Sequence, residues 1–346
     1  MRYYKIVIST PATPGSSSVS NTDAGGDVVV VAGTKAVVYQ TFASVLTNGA
    51  NDPGALNIEL DLAVAGFAQP LGPTQAFLRI QGPSVKQIGS QANLNGKTIQ
   101  IYGGMGRGLP LATQQSAYQG LLASGVIFQA FANWVGTDMS LEMVIEGDTS
   151  SKLTPRNLSG TWPANMPLAQ AITNTLQNAY PEYTVNVAIS SLLTTSSDQS
   201  FVYSSLAQLA QWIEARSKSI IGDPNYQGVQ IVARDKVLYV FDGTTKTQPK
   251  QLLFSDLIGQ PTWQGPGVIQ ITSVMRSDIF VNSYIQLPQG IPTTASAQQF
   301  GTTGYVTFQG SYMVTAVRHV GNFRSPDALS WVTVINATPN NYVSPT

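Results

Sequence analysis

Cysteine is absent from these 346 residues, and histidine occurs once, at His319. Without thiols there are no disulfides and no thiolate metal sites. A single histidine excludes metal centres built on histidine pairs, such as H-E-x-x-H. Charge is scarce as well: 18 basic and 18 acidic residues balance, and together they make up 10% of the chain. Such a chain lacks the basic footprint of a strong nucleic-acid binder and the polybasic patch that attracts anionic membranes. No window approaches about 18 uncharged apolar residues, so no membrane-spanning helix is expected. The start, MRYYKIVISTPATPG, has its apolar run broken by Lys5 and then by Pro11 and Pro14. It therefore does not read as a secretory signal.

What is present is 43% apolar residues, 31 Gly, 20 Pro and a polar remainder dominated by Ser, Thr, Asn and Gln. That mixture fits many short strands joined by turns, with enough length for two or three cores. Strands are expected at 3–8, 28–31 and 35–42. The clearest alternation is LNIELDLAV at 56–64, with Leu56, Ile58, Leu60, Leu62 and Val64 on one face and Asn57, Glu59, Asp61 and Ala63 on the other. One face is then buried and one wet. Further strands are expected at 77–82, 98–103, 125–132 and 139–147.

The texture changes in the middle. Leu168, Ile172 and Leu176 recur at helical spacing after Pro167, and Leu206, Leu209, Ala210 and Ile213 mark a second amphipathic helix. A strand at 184–190 and a hairpin at 228–234 and 236–243 complete an α+β unit. Strands resume at 268–275, 278–288, 311–320 and 330–337. Residues 9–27 and 288–304, rich in Ser, Thr, Gly and Pro, read as long loops. The expected fold is mainly β with an inserted α+β domain and two tube-type β-barrel domains. The division is 1–150 (first barrel), 151–255 (α+β, two helices) and 256–346 (second barrel). Exchange of segments between the barrels is compatible with this division.

The chemistry-bearing residues form no strong constellation. His319 ends the expected strand SYMVTAVRHV beside Arg318, and a catalytic role would need a partner such as Asp327 and a nucleophile. No G-x-S-x-G elbow occurs. Glu59 and Asp61 share a strand face about 7 Å apart, a spacing that suits a glycosidase pair and equally a solvated sheet face. Glu142 and Glu146 stand further apart. YGGMGRG (102–108) departs from both phosphate-loop patterns. NTDAGGD (21–27) opens like a calcium loop but would end on Ala32 instead of the bidentate Glu. Trp212 and Trp331 lie within a helix and a strand, without the interleaved Lys and Arg of a nucleic-acid stacking platform. No catalytic, cofactor-binding or metal-binding residue is assigned, and no enzymatic activity is expected.

The layout itself is the stronger signal. Asp278, Ile285, Leu287 and Pro288 precede a variable hairpin; Gly310, Tyr312, Val314 and His319 follow; Trp331 and Thr333 close the pattern. This order resembles the end of the central baseplate hub proteins of contractile-tailed bacteriophages, the family that includes the phage Mu hub. The helix-bearing middle suits that family too, whereas the first third, with its 9–27 loop, departs from it most. The resemblance implies a homotrimer in which two barrels per subunit mimic a six-fold ring. It would join the tail tube protein to the central spike protein within a virion baseplate, beside other baseplate proteins. DNA or tape measure would pass through the channel without specific binding, and no cofactor or membrane would be involved. The readings to be separated from it are a baseplate-associated peptidoglycan hydrolase, a carbohydrate- or receptor-binding β-protein and an outer-membrane barrel.

Overall fold

The computed structural model describes residues 1–10, 28–31, 34–68, 76–105, 118–147, 157–245, 247–265, 267–288, 308 and 310–339. Most of both expected long loops, the NTDAGGD segment and the last three residues of YGGMGRG lie outside them. The first stretch is β1 (Arg2–Ser9), β2 (Val28–Val31), β3 (Thr34–Ala43), β4 (Asn57–Ala65), β5 (Ala76–Gln81), the short helix α1 (Val85–Gly89), β6 (Thr98–Met105), β7 (Gly120–Val135) and β8 (Asp138–Glu146). The middle holds β9 (Leu158–Trp162), α2 (Leu168–Ala179), β10 (Thr184–Ala188), β11 (Gln199–Tyr203), α3 (Leu206–Ile221), β12 (Gln230–Arg234) and β13 (Val237–Phe241). The last stretch is β14 (Lys250–Gln251), β15 (Thr262–Gly265), β16 (Val268–Val274), β17 (Tyr284–Gln286), β18 (Ser311–Asn322) and β19 (Trp331–Pro339).

Both β-rich stretches belong to one sheet, ordered β15-β16-β19-β18-β4-β5-β8-β7-β6-β1-β3-β2. The join is β4 against β18, antiparallel from Ala65↔Ala316 to Glu59↔Asn322. β18 also forks. Its first residues pair with β17 on the edge that β4 occupies further along, while β19 runs beside it on the other edge. The fork coincides with a register shift between Val314 and Ala316, the local twist and re-aiming that a bulge produces. Because of that shift Val314 and Val317 both enter the apolar core, although simple alternation would send them to opposite faces.

The alternating residues of β4 behave as their period requires: Ile58, Leu60 and Leu62 are buried and Glu59 and Asp61 are half-buried. The same inward faces of β1, β3, β5, β6, β7 and β8 feed one apolar cluster, which Met275 and Trp331 join from the last stretch. Strands from both ends of the run β4 to β3 share this core, so the sheet curls around it. No pairing among the described residues closes it into a ring; β2 and β15 remain its two ends. The expectation of two tube-type barrels is therefore corrected to one large, curled antiparallel sheet in a mainly β chain. The physical reason is the β4–β18 ladder, which spends an edge of each stretch on the other.

A second cluster packs α2 and α3 on β10, β12 and β13, with Leu168, Ala171, Ile172 and Leu176 facing in from α2. α3 opens on Ser205, whose hydroxyl accepts the Gln208 N–H, and stops at Gly222 in the left-handed conformation (φ 69°). The hairpin β12–β13 turns on Asp235 and Lys236, both left-handed (φ 48° and 61°), as a tight two-residue turn demands. The strand expected over 278–288 is reduced to Tyr284–Gln286. Asn282 is left-handed (φ 74°), and the Ser283 hydroxyl donates to Phe280 O at 2.6 Å, which makes a turn where apolar alternation suggested a strand.

Candidate functional site

His319 lies inside β18, opposite Leu62 of β4 and Thr333 of β19, and only 3% of its surface is exposed. The sequence placed it at a strand's end; the strand instead runs on to Asn322. Its Nδ1 is 3.0 Å from Thr333 Oγ1. Burial, followed by the positive charge of Arg234, pushes its pKa down to about 3, so the ring is neutral at ordinary pH. Asp327, the acid that a triad would require, is engaged elsewhere. Its carboxylate accepts the Leu329 N–H at 2.9 Å, and its carbonyl accepts from Arg2 at 3.0 Å. The structure does not bring these two residues together by any hydrogen bond.

Glu59 and Asp61 are together on the half-exposed face of β4, and each has its own cation. Arg318 of the neighbouring strand forms a two-pronged pair with Asp61, with Nε 2.7 Å from Oδ1 and Nη2 on Oδ2. Arg79 of β5 lies 3.6 Å from Glu59 and 2.9 Å from Glu142 of β8, its neighbours on the two flanking strands. Gln81 adds a 2.6 Å hydrogen bond to Glu59. Cross-strand pairs of opposite charge are the ordinary furniture of a wet sheet face. Glu146, by contrast, is buried.

The most concentrated polar group is one that the sequence did not disclose. Arg276 is 3% exposed and binds Asp278 with both prongs, at 3.0 and 2.8 Å. Its Nη1 donates to Asp256 at 2.9 Å and to the Tyr118 hydroxyl at 3.3 Å, and its guanidinium lies 4.2 Å from the Tyr118 ring centroid. The Tyr118 hydroxyl in turn donates to Asp256 at 3.0 Å. Burial works against the Arg276 cation, but its hydrogen bonds and charge pairing with Asp278 prevail, so its pKa sits above the usual value. Burial, only partly offset by Arg276, pushes the Tyr118 phenol up to about 12. Beside this group Phe280 lies under two cations, Arg234 at 4.4 Å and Lys250 at 4.6 Å from the ring centroid.

These residues come from all three parts of the chain: Tyr118 from before β7, Arg234 from the β12–β13 hairpin, and Asp256, Arg276, Asp278 and Phe280 from the last stretch. The cluster is thus a polar seam where the curled sheet, the α+β unit and the last strands meet. Arg276 and Asp278 are two residues apart, but Asp256 and Tyr118 are 20 and 158 positions from Arg276, so only folding assembles them. The one local hint was Arg-x-Asp within an otherwise apolar segment.

No cluster of three or more metal-ligating side chains occurs among the described residues, and no described helix is long and apolar enough to cross a membrane. Gly104, from the glycine-rich YGGMGRG segment, has a packing duty. It is at φ 140°, its carbonyl accepts the Trp331 indole N–H at 2.9 Å, and a Cβ there would fall 1.9 Å from Tyr118 O.

No family model matches the sequence, and a search of curated proteins finds no match. Among solved structures the chain is similar to a 43 kDa tail protein of prophage MuSo2 from Shewanella oneidensis, at 8% identity, 82% of this chain, 96% of that one and a TM-score of 0.48. It is also similar to a tail protein from Neisseria meningitidis MC58, at 8% identity, 97% of both chains and a TM-score of 0.49. A Francisella PdpA–VgrG complex matches at 9% identity over all of this chain and 59% of that chain, with a TM-score of 0.46. At this identity, and with TM-scores below 0.5, these likenesses assign no activity, substrate or partner.

Proposed function

We propose that the chain is a structural component of a contractile phage tail, a baseplate hub that assembles as a homotrimeric ring around a channel. The observation that carries this reading is the fusion of two β-rich stretches, remote in sequence, through β4 and β18 into one sheet whose end strands, β2 and β15, each have one partner among the described residues. Unpaired edges invite another chain. Identical subunits joined head to tail through two different ends close into a ring when the rotation permits. Three copies, each giving two β-rich parts, would present six similar units to a six-fold tail tube on one face and three-fold symmetry to a spike on the other. The low charge of the chain suits permanent contacts, whose centres are depleted in Lys, Glu and Asp. The order of the C-terminal residues from Asp278 to Thr333 agrees with the hub family, and the names of the compared tail proteins point the same way without carrying the proposal.

Under this reading the parts 1–150, 151–255 and 256–346 act as two tube-facing elements and a bracing unit, and the site of action is the virion tail. The test is light scattering and negative-stain imaging of the purified protein, alone and mixed with its tube and spike partners. A trimer with a central hole is expected. A stable monomer in every mixture would sink the proposal. Clearing of peptidoglycan in a gel that vanished on mutating Glu59 or Asp61 would replace it with a hydrolase, although the cations on both carboxylates offer no support for that outcome.

A further inference from the structure

His319 and Arg234 line the same cavity, of about 90 Å³, where β4, β7, β18, the β12–β13 hairpin and the segment around Phe280 meet. Most of its wall is apolar, including Val64, Leu122 and Ile145. Ser124 and Ser277 add to its polar lining. Thr333 Oγ1 accepts the Arg276 backbone N–H at 3.0 Å and lies 3.0 Å from His319 Nδ1; with the hydroxyl hydrogen turned to that contact, Nδ1 is the acceptor. An Nδ1 that accepts leaves the single proton of the neutral ring on Nε2. Nε2 makes no hydrogen bond among the described residues, and His319, 3% exposed, lines the cavity.

Arg234 is similarly under-used. Its hydrogen bonds to Leu121 O and Ser277 O are both long, at 3.4 Å, and it has no carboxylate within ion-pair distance among the described residues. Its other contact is the face of Phe280, which stabilises a cation but accepts no full hydrogen bond. Burial lowers its pKa from the usual arginine value, and the nearby Tyr239, Asp235 and Asp278 offset that only in part. A cavity this size holds several waters or one small oxyanion, since a water needs only about 10–15 Å³ of such space.

We propose that this cavity is a binding site for a small oxyanion of phosphate size, held between the Arg234 guanidinium and the His319 Nε2–H. The neutral imidazole donates without competing for charge, and the guanidinium supplies the counter-charge against a mostly apolar wall, where a charge-assisted hydrogen bond is strengthened. His319 lies within the residue order that resembles the hub family, but neither residue is given a contact in the proposed tail assembly, so the site stands or falls independently of that reading. A bound anion would also tie the hairpin to β18 across the seam and raise the thermal stability of the folded chain by linkage.

The single histidine makes the test unambiguous, because labelling the full chain with nitrogen-15 histidine gives one imidazole spectrum. At neutral pH the expected tautomer is protonated at Nε2 and unprotonated at Nδ1. Titration with inorganic phosphate at constant ionic strength is expected to shift the Nε2 signal saturably. Arg234→Gln is expected to weaken that binding about tenfold or more, the scale of one lost hydrogen bond to a charged group. Should Arg234→Gln fail to fold, Arg234→Lys keeps the charge, loses the fork and is expected to bind more weakly than the parent. A ring protonated at Nδ1, a shift that never saturates, the same shift from chloride alone, or an unchanged midpoint in the folded Arg234 variant would each overturn the proposal.

Discussion

Two groups of ion pairs in this molecule use the same side chains in opposite surroundings. Arg318–Asp61 on the outer face of the β4–β18 join leaves 57% and 40% of its side chains in water. Arg276–Asp256 at the seam leaves 4% and 2%. The outer pair is screened by solvent and costs little to break. The inner one has already given up its hydration, so losing one member strands the others. Exposure, more than geometry, decides what each pair is worth, because both contain close two-pronged contacts.

Substituting Arg276 by Ala is the harshest way to probe this difference. It leaves Asp256 buried without its guanidinium and takes the two-pronged partner from the half-buried Asp278, and is expected to destabilise the fold by about 3–5 kcal/mol in urea unfolding. A loss below about 1 kcal/mol would erase the distinction between the two groups. Acid sharpens the same contrast through His319, whose folded pKa of about 3 lies below its ordinary 6.5. Between those values the unfolded chain binds a proton that the folded chain refuses. The contribution is therefore complete above about pH 6.5 and declines by about 1.4 kcal/mol per pH unit as the pH falls. Near pH 5 this amounts to about 2 kcal/mol, and the His319→Gln variant should show a correspondingly shallower pH profile of stability. Matching slopes in parent and variant would show that the histidine is not held neutral.

A smaller effect is expected at Gly321, where a Cβ would lie 2.7 Å from the Trp331 ring. Gly321→Ala should cost about 1–3 kcal/mol by overpacking the point where β18 crosses the indole, measurable as a lowered thermal midpoint. The least effect belongs to the outer pair: Arg318→Ala is expected to cost less than about 1 kcal/mol, and any loss should shrink further in high salt. A large, salt-insensitive loss there would mean that the face is covered by another chain in solution.

Much of the fold was legible because its signals are local. The alternation in LNIELDLAV, the 3-4 spacing of α2 and α3, and the short stretch between GVQIVAR and KVLYVFDG each reflect a side-chain period that the backbone imposes on itself. β9 and β11 went unseen because LSGTW and QSFVY are short and their pairing spans about forty residues, from Leu158↔Tyr203 to Trp162↔Gln199. β15 was lost in a Gly- and Pro-rich stretch that reads as a loop until β16 pairs with it. The candidate site was less legible still. His319 was singled out as the lone histidine, yet its neighbours Thr333, Arg234 and the Arg276 group come from other strands and another unit.

The sequence by itself determined the inward and outward faces of regular elements such as β4, α2 and α3, and that cysteine and paired-histidine chemistry have no place here. Only the tertiary structure decided that the two β-rich stretches share one sheet, that β18 bulges and forks, and that a polar seam forms where three parts meet. The physical reason is the range of the forces involved. Periodicity and turn preference act between residues a few positions apart, whereas edge pairing and the burial of charge depend on partners that the chain brings together only when it folds.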